Sequence, residues 1–158
     1  MTNEDVIRQF YTAFQNKDWK AMQSCYHPKI VFSDPVFPNL KGKEALAMWH
    51  MLLAGATDLA IEFSEVEATG QEGCGHCEAK YRFSKTGRKV HNKIDAKFTF
   101  EEGLIVRHRD QFNLWAWSSM ALGPVGTLLG WTPMLQRKIR IMAATNLKAF
   151  IEKNPDYQ

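Results

Sequence analysis

Three acids in this chain stand where acid–base chemistry could be arranged. Asp34-Pro35 follows the apolar run Ile30-Val-Phe32, Asp95 lies within Ile94-Asp95-Ala-Lys-Phe-Thr-Phe100, and Asp110 follows His108 beyond Glu102-Gly103. Carboxylates gathered in one dry cavity do not titrate alike. Burial raises a carboxyl pKa and a neighbouring negative charge raises it further, so one group accepts a proton while another donates a hydrogen bond. Phe32, Val36 and Phe37 flank Asp34 and would desolvate it, although Asp-Pro is also a common turn opener. His108 and His50 are either proton carriers or hydrogen-bonded structural histidines.

The hairpin register decides which acids meet. Glu102-Gly103 reads as a two-residue turn, because Gly tolerates positive φ. Pairing Glu101 with Leu104 sets Asp95 opposite Asp110, Lys97 opposite His108 and Lys93 opposite Phe112. Opposed side chains have Cβ atoms about 5 Å apart, near enough for two carboxylates to couple. A three-residue loop pairing Phe100 with Leu104 moves Asp95 to the other face. Patterning also counts against Asp95, since Ile94, Ala96, Phe98 and Phe100 form the more apolar side of the strand.

The elements that must position these groups are legible in outline. Thr2 and Asp5 have capping-box spacing ahead of a helix to about Asn16 with the stripe Val6, Phe10, Ala13 and Phe14. Asp18 caps a short second helix through Trp19, Met22 and Tyr26, which His27-Pro28 stops. Ile30 to Phe32 is a short strand, and residues 43–54 form a third helix. Strands are expected over 59–68, 77–84, 88–100 and 104–114, separated by Gly70, Gly73, Gly87 and Gly103. Helices followed by hairpin-linked strands indicate an α+β domain, with helices against one face of an antiparallel sheet.

Beyond this core, Thr132-Pro133 opens a last helix with cap and proline in favoured places. It is amphipathic, with Leu135, Ile139, Met142, Leu147 and Phe150 on one side and Arg137, Lys138, Arg140 and Lys148 charged. A basic amphipathic helix binds a membrane surface in some proteins, but more often docks on its own domain or a twin subunit. Docking is the expectation here.

Composition narrows the classes. The 158 residues are 45% hydrophobic and 23% charged, with a net charge of +3 and no basic stripe for nucleic acid. No apolar run spans a bilayer, and Met1-Thr-Asn-Glu-Asp5 is unlike a signal peptide, so no membrane partner and a cytoplasmic location are expected. Cys74-Gly-His-Cys77 has dithiol spacing but lacks the helix N-terminus that stabilises a thiolate, and runs into a strand-like segment. Neither a redox centre nor a metal site is expected from it.

Together the order of motifs resembles the nuclear transport factor 2-like superfamily, in its SnoaL-like and ketosteroid isomerase-like branch. The resemblance rests on helix one, Asp18, Tyr26, Asp34-Pro35, Lys41-Gly42 and Phe98-x-Phe100-x-x-Gly103-x-Ile105, over about residues 3–118. It implies a cystatin-like cone, a curved antiparallel sheet wrapped around the N-terminal helices, with residues 119–158 as an added loop and helix. It also implies a homodimer through the convex sheet face and a pocket for a small hydrophobic molecule, lined by Phe10, Tyr26, Phe32, Trp49, His50, Phe112 and Trp115. Asp34 is similar to the general base of the isomerases, and Asp95 to their protonated acid. Arg109-Asp110-Gln111 is similar to the acid/base strand of limonene-epoxide-hydrolase-like and polyketide-cyclase-like members. Phe10 stands where the isomerases place an oxyanion tyrosine, with Tyr11 next to it. The activity implied is cofactor-independent isomerisation or cyclisation next to a carbonyl, with His108 in the network. The alternatives are a non-catalytic binding or dimerisation module and water addition to an epoxide.

Overall fold

Side-chain caps start the helices where the sequence marks them. In the computed structural model, which describes residues 1–56 and 58–158, Thr2 and Asp5 form a reciprocal capping box on α1 (Asn3–Gln15). Asp18 caps α2 (Trp19–Ser24), and Asn113 and Thr132 accept from the first turns of α4 (Leu114–Leu122) and α6 (Pro133–Glu152). Between these lie α3 (Lys43–Ala54) and a short α5 (Pro124–Leu129).

Six strands form one mixed sheet in the order β2-β1-β6-β5-β4-β3. They are β1 (Tyr26–Ser33), β2 (Leu40–Lys41), β3 (Ala60–Thr69), β4 (Glu72–Arg82), β5 (Lys89–Glu101) and β6 (Leu104–Gln111). Four neighbouring pairs are antiparallel, as expected; β1 alone joins β6 in parallel, through the long connection that carries the rest of the chain. Helices cover one face. Phe10, Ile7 and Phe14 of α1 and Met48 and Trp49 of α3 bury against Phe32, Phe98, Phe100 and Ile105 of the sheet. A smaller apolar cluster joins Val90 of β5 to Leu114, Trp117 and Ala121 of α4 and Ile139 of α6.

Two sequence expectations move by a few residues. Tyr26 opens β1 rather than closing α2, because Cys25 already ends the helix and donates to Met22 O. β4 begins at Glu72, so Cys74 and Cys77 lie within a strand and, three residues apart, on opposite faces of it.

The register brings a larger correction. Glu101 pairs with Leu104 and Phe100 with Ile105, as the two-residue turn requires, but a β-bulge follows and Thr99 pairs with Arg107. One extra residue on β6 reverses the facing of everything beyond it. Ile105 points into the core, and so do His108 and Asp110, which an unbroken strand would have turned outward. Asp110 therefore lies opposite Ala96, and Asp95 opposite Gln111 with its side chain 81% exposed on the uncovered face. Asp95 is not a partner of Asp110.

Candidate active site

Parallel pairing sets the two remaining acids side by side. Phe32 aligns with His108 and Ser33 with Arg109, so the next residues along the two strands are Asp34 and Asp110. Phe32 and His108 both face the helix-covered side, which gives the acids that follow two residues later the same inward direction. Arg140 of α6 donates to Pro35 O at 2.8 Å and pins the turn that carries Asp34.

Asp34 closes this turn itself, Oδ1 accepting from the amides of Val36 and Phe37 at 2.7 and 2.6 Å. Those bonds favour the carboxylate, yet burial outweighs them. Desolvation, with the charge of Asp110 added, pushes the Asp34 pKa up from 3.8 to about 7. A base titrating there is matched to proton transfer at neutral pH.

Asp110 ends a one-directional hydrogen-bond chain. Trp49 Nε1 donates to the Tyr26 hydroxyl at 2.8 Å, and Tyr26 Oη lies 2.7 Å from His108 Nδ1. His108 Nε2 in turn lies 2.7 Å from Asp110 Oδ1. A carboxylate only accepts, so the imidazole donates to Asp110 from Nε2; its bare Nδ1 then accepts from the Tyr26 hydroxyl, whose oxygen accepts from the indole. Five aromatic rings fix the imidazole, Phe98 at 4.5 Å between centroids, Phe32 at 5.0, Phe10 at 5.3, Tyr26 at 6.0 and Trp49 at 6.2. The His108 side chain is 1% exposed and that of Asp110 is 10%.

Two phenols beside the acids have protons to give. Trp117 Nε1 donates to the Tyr81 hydroxyl at 2.8 Å, leaving the Tyr81 proton free for another acceptor. Burial raises the Tyr81 pKa, and the charge of Asp34 adds to it. Tyr11 Oη is buried and has no hydrogen-bond partner among the described residues. Burial lifts its pKa well above 10, and the charge of Asp110 adds to the rise. A buried polar atom without a partner costs about 1–3 kcal/mol, which a ligand oxygen placed there would relieve.

Of the residues expected at the site, the structure assembles Asp34, Asp110, His108, Tyr26, Phe10, Phe32 and Trp49. Phe10, Phe32 and Trp49 pack around the imidazole as its aromatic cage. Phe112 joins the cluster under α4. His50 stacks on Trp19 and bonds Tyr157 Oη at 2.8 Å, because its side of α3 faces α2 and the C-terminus. Trp115 faces outward from α4 and donates to Thr127 O. Tyr11 and Tyr81 reach the site without having been expected there. The inward alternation of β4, with Gly75, Cys77, Ala79 and Tyr81 on one side, was the available signal for Tyr81.

The uncovered face of the sheet carries different groups. A groove of about 440 Å³ there is lined by Glu65, Cys74, Asp95, Lys97, Arg109 and Gln111, among others. Beside it His76 bonds Asp95 and Glu78, and His91 bonds Glu78 at 2.7 Å. The two carboxylates raise the His76 pKa.

Comparison with known proteins agrees with this architecture. No curated protein matches the chain. A proposed SnoaL-like polyketide cyclase of Jannaschia sp. CCS1 superposes with a TM-score of 0.68 at 14% identity, over 77% of this chain and 92% of that one. An LEH-like epoxide hydrolase of M. tuberculosis superposes at 0.61 and 16% identity, over 80% and 94%. An NTF2-like protein of unknown function from Burkholderia pseudomallei gives 0.61 and 17%, over 72% and 92%. These identities establish a shared fold. The SnoaL-like domain profile matches residues 7–108, a span that runs from α1 through the bulged strand to His108, and by that match the chain belongs to the SnoaL-like domain family.

Proposed function

We propose that this protein is a cofactor-independent acid–base enzyme, acting next to a carbonyl of a small hydrophobic molecule in isomerisation or ring closure. The observation that carries the reading is the pairing of Asp34, poised at about 7, with Asp110 at the end of the Trp49–Tyr26–His108 chain. Asp34 takes a proton from the carbon beside the carbonyl, and the electron pair moves onto the carbonyl oxygen. Tyr81 or Tyr11 donates a hydrogen bond to that oxygen, where charge develops. Returning the proton from Asp34 to another carbon completes isomerisation; for cyclisation the carbanion attacks a second carbonyl carbon, that carbonyl's π pair moves onto its oxygen, and the proton held by Asp34 passes to this oxygen. His108 holds the Asp110 carboxylate against the site, and its charge keeps Asp34 a strong enough base.

Exchange of α-hydrogens for deuterium in enolisable apolar ketones, followed by NMR, tests this. Loss of exchange in Asp34→Asn and Asp110→Asn supports the reading; undiminished exchange in both ends it. The dense aromatic packing around His108 favours a second reading, a module that binds a hydrophobic ligand without turning it over. Native mass spectrometry showing an unreacted co-purified ligand, with no exchange, supports that one. Conversion of an epoxide to a diol by the pure protein would instead assign water addition around Asp110.

The uncovered sheet face supports a homodimer. It presents both signs of charge, Glu65 and Asp95 with Lys97 and Arg109, around one groove, which a two-fold contact pairs with themselves in opposite order. Light scattering on wild type and Lys97→Glu/Arg109→Glu tests it, with the charge reversal expected to give monomers.

A further inference from the structure

The geometry points to peripheral docking of this protein on an anionic phospholipid bilayer, through the helical hairpin α4–α5 and the start of α6. From Leu114 to Gln136 the chain has no charged residue, and between Asp110 and Glu152 it has neither aspartate nor glutamate. That acid-free stretch contains Arg137, Lys138, Arg140 and Lys148. The apolar segment is not long enough in any one helix to cross a bilayer. It folds instead into two short helices that lie back to back.

Glycine makes that contact close. A Cβ at Gly126 would fall on the Ser118 carbonyl, and one at Gly130 would meet the Ser118 and Trp115 side chains. With its glycine side pressed on α4, α5 turns the rest of its surface outward. Trp115, Val125, Leu128, Leu129, Trp131 and Met134 are exposed together, Leu128 at 69%, Trp131 at 60% and Met134 at 67%. The indoles are tied down, Trp115 Nε1 to Thr127 O at 3.0 Å and Trp131 Nε1 to Leu128 O at 2.9 Å.

Cations border this surface. Arg88 reaches the α4–α5 corner, Nε donating to Met120 O at 2.9 Å beside Gly123, and Lys85 lies against Met142 of α6. Arg137 and Lys138 lie one helical turn beyond the exposed Met134. Apolar and tryptophan side chains that enter the headgroup boundary, bordered by basic residues that meet anionic lipid, are the composition of an interfacial anchor. A second copy of the same face would instead bring like charges together.

Flotation of the full chain with vesicles of phosphatidylcholine, alone or mixed with phosphatidylserine, tests the proposal, with tryptophan emission as a second readout. Wild type should float with the anionic vesicles, shift its emission to shorter wavelength, and release as salt is raised. Arg137→Gln/Lys138→Gln should weaken partitioning about thirtyfold. Leu128→Ser/Trp131→Ser should weaken it more than about tenfold, given the apolar surface removed. The docking face does not include the acid–base site, so Asp34→Asn should float as wild type does. Failure of wild type to float with anionic vesicles at low salt overturns the proposal. So does unchanged flotation of both double variants, or a dimer that Leu128→Ser/Trp131→Ser abolishes.

Discussion

His108 Nε2 lies 2.7 Å from Asp110 Oδ1, and both residues reach the interior only because β6 bulges after Ile105. The imidazole accepts from Tyr26 on its other nitrogen, so one ring joins a buried phenol to a carboxylate at the site's edge. Removing any member leaves its neighbour with an unmet bond in an apolar surround.

Tyr26→Phe should therefore destabilise the protein by about 1–3 kcal/mol, since it strands Trp49 Nε1 and His108 Nδ1 together. Chemical denaturation of Tyr26→Phe, His108→Phe and the double variant checks this. The double variant should lose less than the sum of the singles, the signature of a shared network.

Asp34 imposes a pH-dependent cost on folding. Its pKa is 3.8 without burial and about 7 in the fold, so between those values the folded chain holds a proton that the unfolded chain has lost. Stability falls as pH rises through that window, and above about 7 the cost is fully expressed. At about 1.4 kcal/mol per pKa step it is on the order of 4 kcal/mol. Asp34→Asn keeps the acceptor for the Val36 and Phe37 amides and removes the charge. Its melting temperature should exceed wild type at pH 8 and converge on it near pH 4.

The same titration shapes activity. Proton abstraction by Asp34 requires the carboxylate, so the deuterium-exchange rate should climb with pH and level off above about 7. Asp34→Asn should lower that rate by about 10²–10⁴ and abolish the pH step.

The cysteines should behave independently. Burial pushes the Cys25 pKa to about 11 and that of Cys77 to about 12, so neither supplies thiolate at neutral pH. Alkylation should reach Cys74 alone in the native protein, more slowly as protein concentration rises and the sheet face becomes covered. Peptide mapping after mild oxidation should show no Cys74–Cys77 bridge, because the strand turns the two side chains to opposite faces.

Gly126→Val should destabilise by about 1–3 kcal/mol or more, since the side chain would occupy the Ser118 carbonyl. Thermal melts compared with Val125→Ala, an exposed neighbour, separate this contact from general helix effects.

Local chemistry decided much of this protein before any folding. Thr2, Asp18 and Thr132 set helix starts by side-chain bonds to nearby amides, and alternation along residues 94–100 announced which side of β5 enters the core. Both rest on neighbours in the chain, so both are readable from it. The inward facing of His108 and Asp110 was not. Turn residues fixed the first two pairs of the β5–β6 hairpin, but the bulge after them depends on how β6 must also meet β1, a partner far back in the chain (Phe32 against His108). A one-residue slip reverses a strand's faces, and only the packed sheet selects it. The same long-range pairing set Asp34 beside Asp110, and the docking of α4 brought Trp117 to Tyr81. Burial then moved the Asp34 pKa, a property that belongs to the surroundings and not to the residue.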